Sequence, residues 1–234
     1  MNISPLLYAA FKELQDASKG ALTGTKIESI SGIINKYAIY SAVAQMASLT
    51  GGIGSVVAFL TQTGLIWTTY VKINKELGVS MSENTMKFVG SAVLTNLIAN
   101  AGIYLVAMVT AWLIGMIPVL NFAAIAVEVV IAYVLIYASA LIYLKLLTEV
   151  MRAKGSYEME ESEDTKDLIK KIVKETDIKG VVKEGRDAFK EAKDSGELER
   201  VKNKPECYIC GKNITGTENY CSSCGAKLNN KRRI

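Results

Sequence analysis

Charge is distributed so unevenly along this chain that it decides what most of the chain can fold into. Tyr37–Val71 contains no Asp, Glu, Lys or Arg. Phe88–Val127 contains none either, and after the single Glu128 the run Val129–Leu144 is again uncharged. From Lys145 onward the chain is densely charged. A membrane-crossing helix needs about 20 consecutive apolar residues, so each long uncharged stretch has room for a crossing or a hairpin. Half of the 234 residues (50%) are hydrophobic and the mean hydropathy is +0.23, which is apolar for a soluble domain. The net charge of +4 is spread along the sequence and is not the footprint of a nucleic-acid binder. Lys12, Glu13 and Asp16 interrupt the apolar pattern of the first 20 residues, so no cleavable secretion signal is expected.

Periodicity and punctuation place the helices. Ser4 is a good N-cap and Pro5 suits the first helical position, which predicts an amphipathic helix over residues 4–19 with Leu7, Ala10, Phe11 and Leu14 on one face. That face suits either a membrane surface or packing on the rest of the protein. A second helix is expected from about Thr25 to the glycine cluster Gly51, Gly52 and Gly54, and a third from about Ser55 to Leu77. Gln45, Thr61, Gln62, Thr63, Thr68 and Thr69 leave a buried helix pair or a re-entrant hairpin as the alternative to full crossings here. Gly78 is a C-cap candidate, and Ser82-Glu83 can start the next helix. Pro118 divides the strongest apolar run into a helix over Phe88–Met116, a turn at Ile117–Asn121 and a return helix over Phe122–Leu147. Both hairpin tips are uncharged, so both hairpins are expected to enter and leave the bilayer from one side. Residues 152–205 are rich in Lys, Glu and Asp. Their narrow stripe of Leu168, Ile169, Ile172 and Val173, continued by Val181, Val182 and Phe189, predicts one or two water-facing helices forming a stalk.

The tail carries every cysteine of the chain, as Cys207-Tyr-Ile-Cys210 and Cys221-Ser-Ser-Cys224. Two CxxC pairs at this separation can close a tetrahedral shell of four thiolates around one zinc ion, which makes Cys207, Cys210, Cys221 and Cys224 the expected metal ligands. Gly211 and Gly225 follow the second cysteine of each pair, where positive φ lets backbone N–H groups point at sulfur. Two disulfides would be the alternative in a small extracellular module, but regular CxxC pairs favour metal. A four-thiolate site is closed and structural, and it persists best in a reducing compartment, so the tail is expected in the cytoplasm.

Other chemistry is thinly represented. The chain has no histidine, which removes His-based triads and His general bases. Gly20-Ala-Leu-Thr-Gly24-Thr-Lys26 evokes a phosphate-binding loop, but its spacing is wrong and a helix precedes it. No enzymatic activity is expected. Glu128 is the one acid within the apolar region; in a hairpin symmetric about Val119 it lies at the depth of Thr110, either as an ion or subunit contact or as a tip residue reaching headgroups or water. Asn96 and Asn100 are expected to bond between helices.

Lys72-Ile-Asn-Lys-Glu-Leu-Gly-Val79, the helix started by Ser82-Glu83, and the Ile117-Pro118 turn between apolar helices carry a resemblance. On these residues the stretch from about Lys26 to Val150 resembles the YcjF-like membrane proteins and the helical domain attached to some Era-like GTPases. Cys221-Ser-Ser-Cys224-Gly-Ala-Lys-Leu228 is similar to the second half of many prokaryotic zinc ribbons. The resemblance implies a membrane-associated, non-catalytic partner of a GTPase encoded elsewhere.

The expected architecture is an all-α membrane protein of two helical hairpins, with a charged helical stalk and a small β zinc ribbon. Its expected divisions are an N-terminal amphipathic helix over 1–24, a helical membrane domain over 25–150, a linker over 151–205 and a zinc ribbon over 206–234. The expected location is a prokaryotic cell membrane, with both termini cytoplasmic. The leading expectation is an adaptor whose ribbon docks a cytoplasmic protein, with lipid as its other partner and homo-oligomers open. The alternatives are a membrane-tethered nucleic-acid-binding ribbon, for which Lys202, Lys204, Lys212, Lys227, Lys231, Arg232 and Arg233 are a thin basic supply and Tyr208 and Tyr220 the only stacking aromatics, and a small oligomeric channel or transporter subunit.

Overall fold

The structure is a computed structural model that describes residues 3–50, 55–114, 123–203, 207, 212, 214 and 220–225. Among the described residues the regular elements are eight α-helices: α1 (Pro5–Ala17), α2 (Gly24–Thr50), α3 (Ser55–Leu77), α4 (Glu83–Ile114), α5 (Ala123–Lys154), α6 (Glu163–Glu175), α7 (Ile178–Asp194) and α8 (Glu197–Asn203). The glycine cluster and the Pro118 turn expected at the two hairpin tips lie outside the described residues.

Local chemistry sets the helix ends much as expected. Ser4 Oγ accepts the Leu7 N–H at 3.4 Å, with Pro5 at the first helical position. Ser82 Oγ accepts the Thr85 N–H at 3.0 Å, and Ser162 and Asp177 cap α6 and α7 in the same way. Gly78 adopts φ +72° and lets the Val79 N–H reach the Asn74 carbonyl at 2.8 Å, which ends α3.

Helices α2 to α5 run up, down, up and down. Ser41 Oγ on α2 donates to Gln62 Oε1 on α3 at 2.6 Å and lies 2.8 Å from the Ala132 carbonyl on α5. Below that level Tyr70 stacks on Tyr143, with ring centroids 4.0 Å apart. The Tyr70 hydroxyl donates to the Ser139 carbonyl at 3.0 Å and the Tyr143 hydroxyl to Asn74 Oδ1 at 2.6 Å. The ends of α2 and α4 and the starts of α3 and α5 therefore lie together at one end of the bundle, called distal here.

α5 is the axis. α1, α2, α3, α4, α6 and α7 all lie against it, and Val134, Ile136, Ala140, Leu144, Leu146 and Leu147 have almost no solvent exposure. Fully burying one such leucine, isoleucine or valine side chain contributes roughly 1.5–3 kcal/mol. α1 buries the expected face of Leu7, Ala10, Phe11 and Leu14 in this core, so packing and not a membrane surface takes it.

The charged segment is not a stalk. α6 buries Ile169, Ile172 and Val173, and α7 buries Val181, Val182, Phe189 and Ala192. The predicted stripe is present, but it closes over α4 and α5. Gly185 lets α7 approach α5 closely: a Cβ there would stand 3.2 Å from Val134 Cγ2 and 3.6 Å from Tyr137 Cδ1. Phe189 meets Tyr133 edge to face at 5.6 Å. One carboxylate joins three helices. Glu184 on α7 accepts the Leu6 N–H at the start of α1 (3.0 Å) and the Tyr137 hydroxyl of α5 (3.0 Å), and that hydroxyl also bonds Ser4 Oγ.

This packing corrects the membrane expectation. Among the described residues one helical segment, Ala126–Lys154, is long and apolar enough to cross a bilayer by length and composition, and 78% of its most apolar window is buried inside the protein. Two membrane-spanning hairpins are not supported. The physical reason is that α1, α6 and α7 occupy the surface of α5 that lipid would need, and their outer faces are charged. The expected β ribbon is not supported either: no strand occurs among the described residues, although most of 206–234 lies outside them.

Replacing Glu184 by Ala removes the acceptor for the Leu6 N–H and for the Tyr137 hydroxyl. It should lower unfolding free energy by about 1–3 kcal/mol, read from thermal or denaturant unfolding by circular dichroism. Unchanged stability would show that α7 is held by its apolar stripe alone.

Candidate metal centre

The Sγ atoms of Cys207, Cys221 and Cys224 all lie within 4.8 Å of one another. Cys207 of the first CxxC motif stands beside both cysteines of the second, and three close cysteines can hold a metal ion. Cys210, the fourth expected ligand, lies outside the described residues, as does Gly211. The Cys207 and Cys224 sulfurs are 3.6 Å apart. Thiolates at about 2.3 Å from a tetrahedral ion stand about 3.8 Å from each other, whereas a disulfide bond is about 2.05 Å long. The spacing therefore matches a shared ion.

The local backbone prepares the site. Gly225 adopts φ +71° and donates its N–H to the Cys221 carbonyl at 2.8 Å. The Ser223 N–H points at Cys221 Sγ, 3.4 Å away. Such N–H to sulfur bonds spread the negative charge that thiolates bring to a metal, and glycine at position 225 makes the turn without Cβ strain. Cys207 and Cys221 are buried while Cys224 is exposed. Lys212 was not singled out by motif reading, yet it ties the two halves together. Its carbonyl accepts the Cys207 N–H at 2.7 Å and its Nζ donates to Ser222 Oγ at 3.1 Å. Its position shortly after Cys210 was the available signal.

The other candidate polar residues are placed differently from expectation. Glu128 is exposed, and its Oε2 accepts from Gln45 Nε2 on α2 at 2.9 Å, so Gln45 and not Thr110 is the residue it meets. Asn96 and Asn100 do not link helices through their amides. Each turns its Nδ2 back onto its own helix, Asn96 to the Ala92 carbonyl at 2.9 Å and Asn100 to the Asn96 carbonyl at 2.8 Å. The buried polar contacts between helices come instead from Ser41, Gln62, Tyr70, Asn74 and Tyr143, together with Tyr133, whose hydroxyl donates to Asn35 Oδ1 at 2.6 Å.

No family model, no curated protein and no solved structure matches this chain.

Cys207→Ser removes a buried sulfur from the cluster. It should lower metal affinity at least about tenfold, measured by competition with a chromogenic chelator, and should weaken the thiolate-to-metal charge-transfer absorption of the cobalt-loaded chain. Equal metal content in wild type and variant would remove Cys207 from the ligand set.

Proposed function

We propose that this chain is a non-enzymatic, membrane-associated adaptor. The helical bundle attaches it to a bilayer, and a zinc-loaded tail built on Cys207, Cys210, Cys221 and Cys224 docks a cytoplasmic protein. The observation that carries the reading is the segregation of charge along the bundle. The distal ends of α2 to α5 bear Glu128 as their only charged residue, while α6, α7 and α8 bear a dense mixture of Lys, Arg, Asp and Glu and lead directly into the cysteine tail. Apolar helix ends favour lipid and a charged exterior favours water, so one molecule offers a surface to each.

Zinc is the ion the ligand set suits best, because a tetrahedral all-thiolate shell selects zinc or iron–sulfur chemistry, and a Cx₂C…Cx₂C pattern is the structural zinc arrangement. Four thiolates would leave no open position for water or substrate, which suits a recognition module and not a catalyst. The YcjF-like resemblance suggests a GTPase as the class of docked protein. A nucleic acid is the weaker partner, since acids are interleaved with the bases of α6 to α8 and the tail has few aromatics.

Affinity purification from solubilised membranes, comparing wild type with Cys207→Ser, tests the docking role. The variant should remain in the membrane fraction and lose the co-purifying protein. An unchanged set of partners would separate the cysteine tail from docking.

A further inference from the structure

We propose that Met81 is a modification site: hydrogen peroxide oxidises its thioether, and the buried amide of Asn74 captures the sulfoxide oxygen. The oxidised side chain then clasps the turn between α3 and α4 to the core of the bundle.

Asn74 supplies the reason. It lies in the last turn of α3 and is 3% exposed. Its Oδ1 accepts the Tyr143 hydroxyl at 2.6 Å, and the Tyr143 ring stacks on Tyr70. Its Nδ2 faces two sulfurs, Met86 Sδ at 3.5 Å and Met81 Sδ at 3.9 Å. A thioether is a weak acceptor, so a buried amide group here directs its N–H donors at poor partners. A buried donor gains from a strong acceptor, and a sulfoxide oxygen is one.

The Met81 contact has the length a sulfoxide needs. An oxygen held about 1.5 Å from sulfur, accepting from nitrogen at about 2.9 Å with an S–O···N angle of about 120°, puts sulfur and nitrogen about 3.9 Å apart. The oxygen therefore fits between Met81 Sδ and Asn74 Nδ2 with neither atom displaced. The Met86 contact is shorter, and Met86 is only 8% exposed.

The sulfur is also within reach of solvent. A cavity of about 370 Å³ opens between the end of α3 and the following turn, with Met81 in its wall and Lys75, Gly78 and Ser80 exposed at its rim. Water takes up about 30 Å³ per molecule, and hydrogen peroxide is little larger. Met81 itself is half-buried against the core.

The step is a two-electron oxygen transfer. Met81 Sδ attacks one peroxide oxygen, the S–O bond forms and the O–O bond breaks. The proton on the transferred oxygen passes to the departing hydroxide, which leaves as water. Sulfur is oxidised and peroxide reduced, with no other reactant. A sulfoxide ordinarily disrupts a core, because a polar oxygen meets apolar neighbours. Here a donor faces the new oxygen, so oxidation stabilises the fold. The new bond ties Met81 to Asn74 and, through Asn74, to Tyr143 of α5. A methionine sulfoxide reductase would release it.

The test compares the purified full chain with Met81→Leu, each before and after hydrogen peroxide. Sulfoxides are located by peptide mass spectrometry and unfolding is followed by circular dichroism. Met81→Leu is a volume-conserving change and keeps every other methionine. Subtracting its oxidation-induced shift in Tm from that of the wild type isolates position 81. The isolated shift should be upward by about 2–4 °C. Repeated in an Asn74→Leu background, it should vanish or turn downward. The Met81→Leu comparison decides alone if Asn74→Leu does not fold. A zero or downward shift at position 81 with Asn74 present would overturn the proposal. So would peroxide that converts the half-buried Met151 and leaves Met81 a thioether.

Discussion

The fold depends on covering α5. This helix is apolar for most of its length, and six other helices supply its surroundings. α2, α3 and α4 cover it with helices that are themselves nearly uncharged. α1, α6 and α7 cover it with amphipathic helices that put apolar stripes inward and charge outward. The second group converts an apolar cylinder into an object that water can surround over its lower part. Glu184 links these outer helices, because its carboxylate receives one donor from the start of α1 and another from Tyr137 of α5.

The same covering limits where lipid can reach. A helix that passes a length and composition test for crossing a membrane is buried here by its own chain, so its hydropathy reports an interior as much as a bilayer. Exposed apolar side chains are confined, among the described parts of α2 to α5, to the far part of α4. Several buried polar groups within the bundle are paired, although Ser31 Oγ and Trp67 Nε1 have no hydrogen-bond partner among the described residues. The tyrosine hydroxyls at 70, 133 and 143 each donate to a carbonyl or amide oxygen, and Ser41 bridges α2 to both α3 and α5. These bonds fix which helix faces which, since apolar contact alone is tolerant of rotation.

The cysteine tail obeys a more local logic. The second CxxC turn presents its sulfurs because the backbone after Cys224 folds back at Gly225, at positive φ. The Lys212 carbonyl closes the first half on the Cys207 N–H, and its ammonium group reaches Ser222 in the second. α8 connects this tail to the flank of α2, so a module with its own short-range order is attached where the charged helices end.

Much of the secondary structure was legible in the sequence. Ser4-Pro5, Gly78 and Ser82-Glu83 punctuate the chain where helices begin and end, because capping depends on residues within a turn of each other. The grouping of Cys207, Cys221 and Cys224 was legible for the same reason. The role of residues 163–194 was not. A stripe of Ile169, Ile172, Val173, Val181, Val182 and Phe189 on charged helices reads alike whether it faces a distant partner or its own core. The partners of Glu128, Asn96 and Asn100 were also beyond reach, since side-chain pairing across helices depends on rotation and register that no short window encodes. The sequence by itself determined the helices, their ends and the metal-ligating residue types. Only the tertiary structure decided that the charged helices wrap α5, because burial is a property of neighbours brought together from distant parts of the chain.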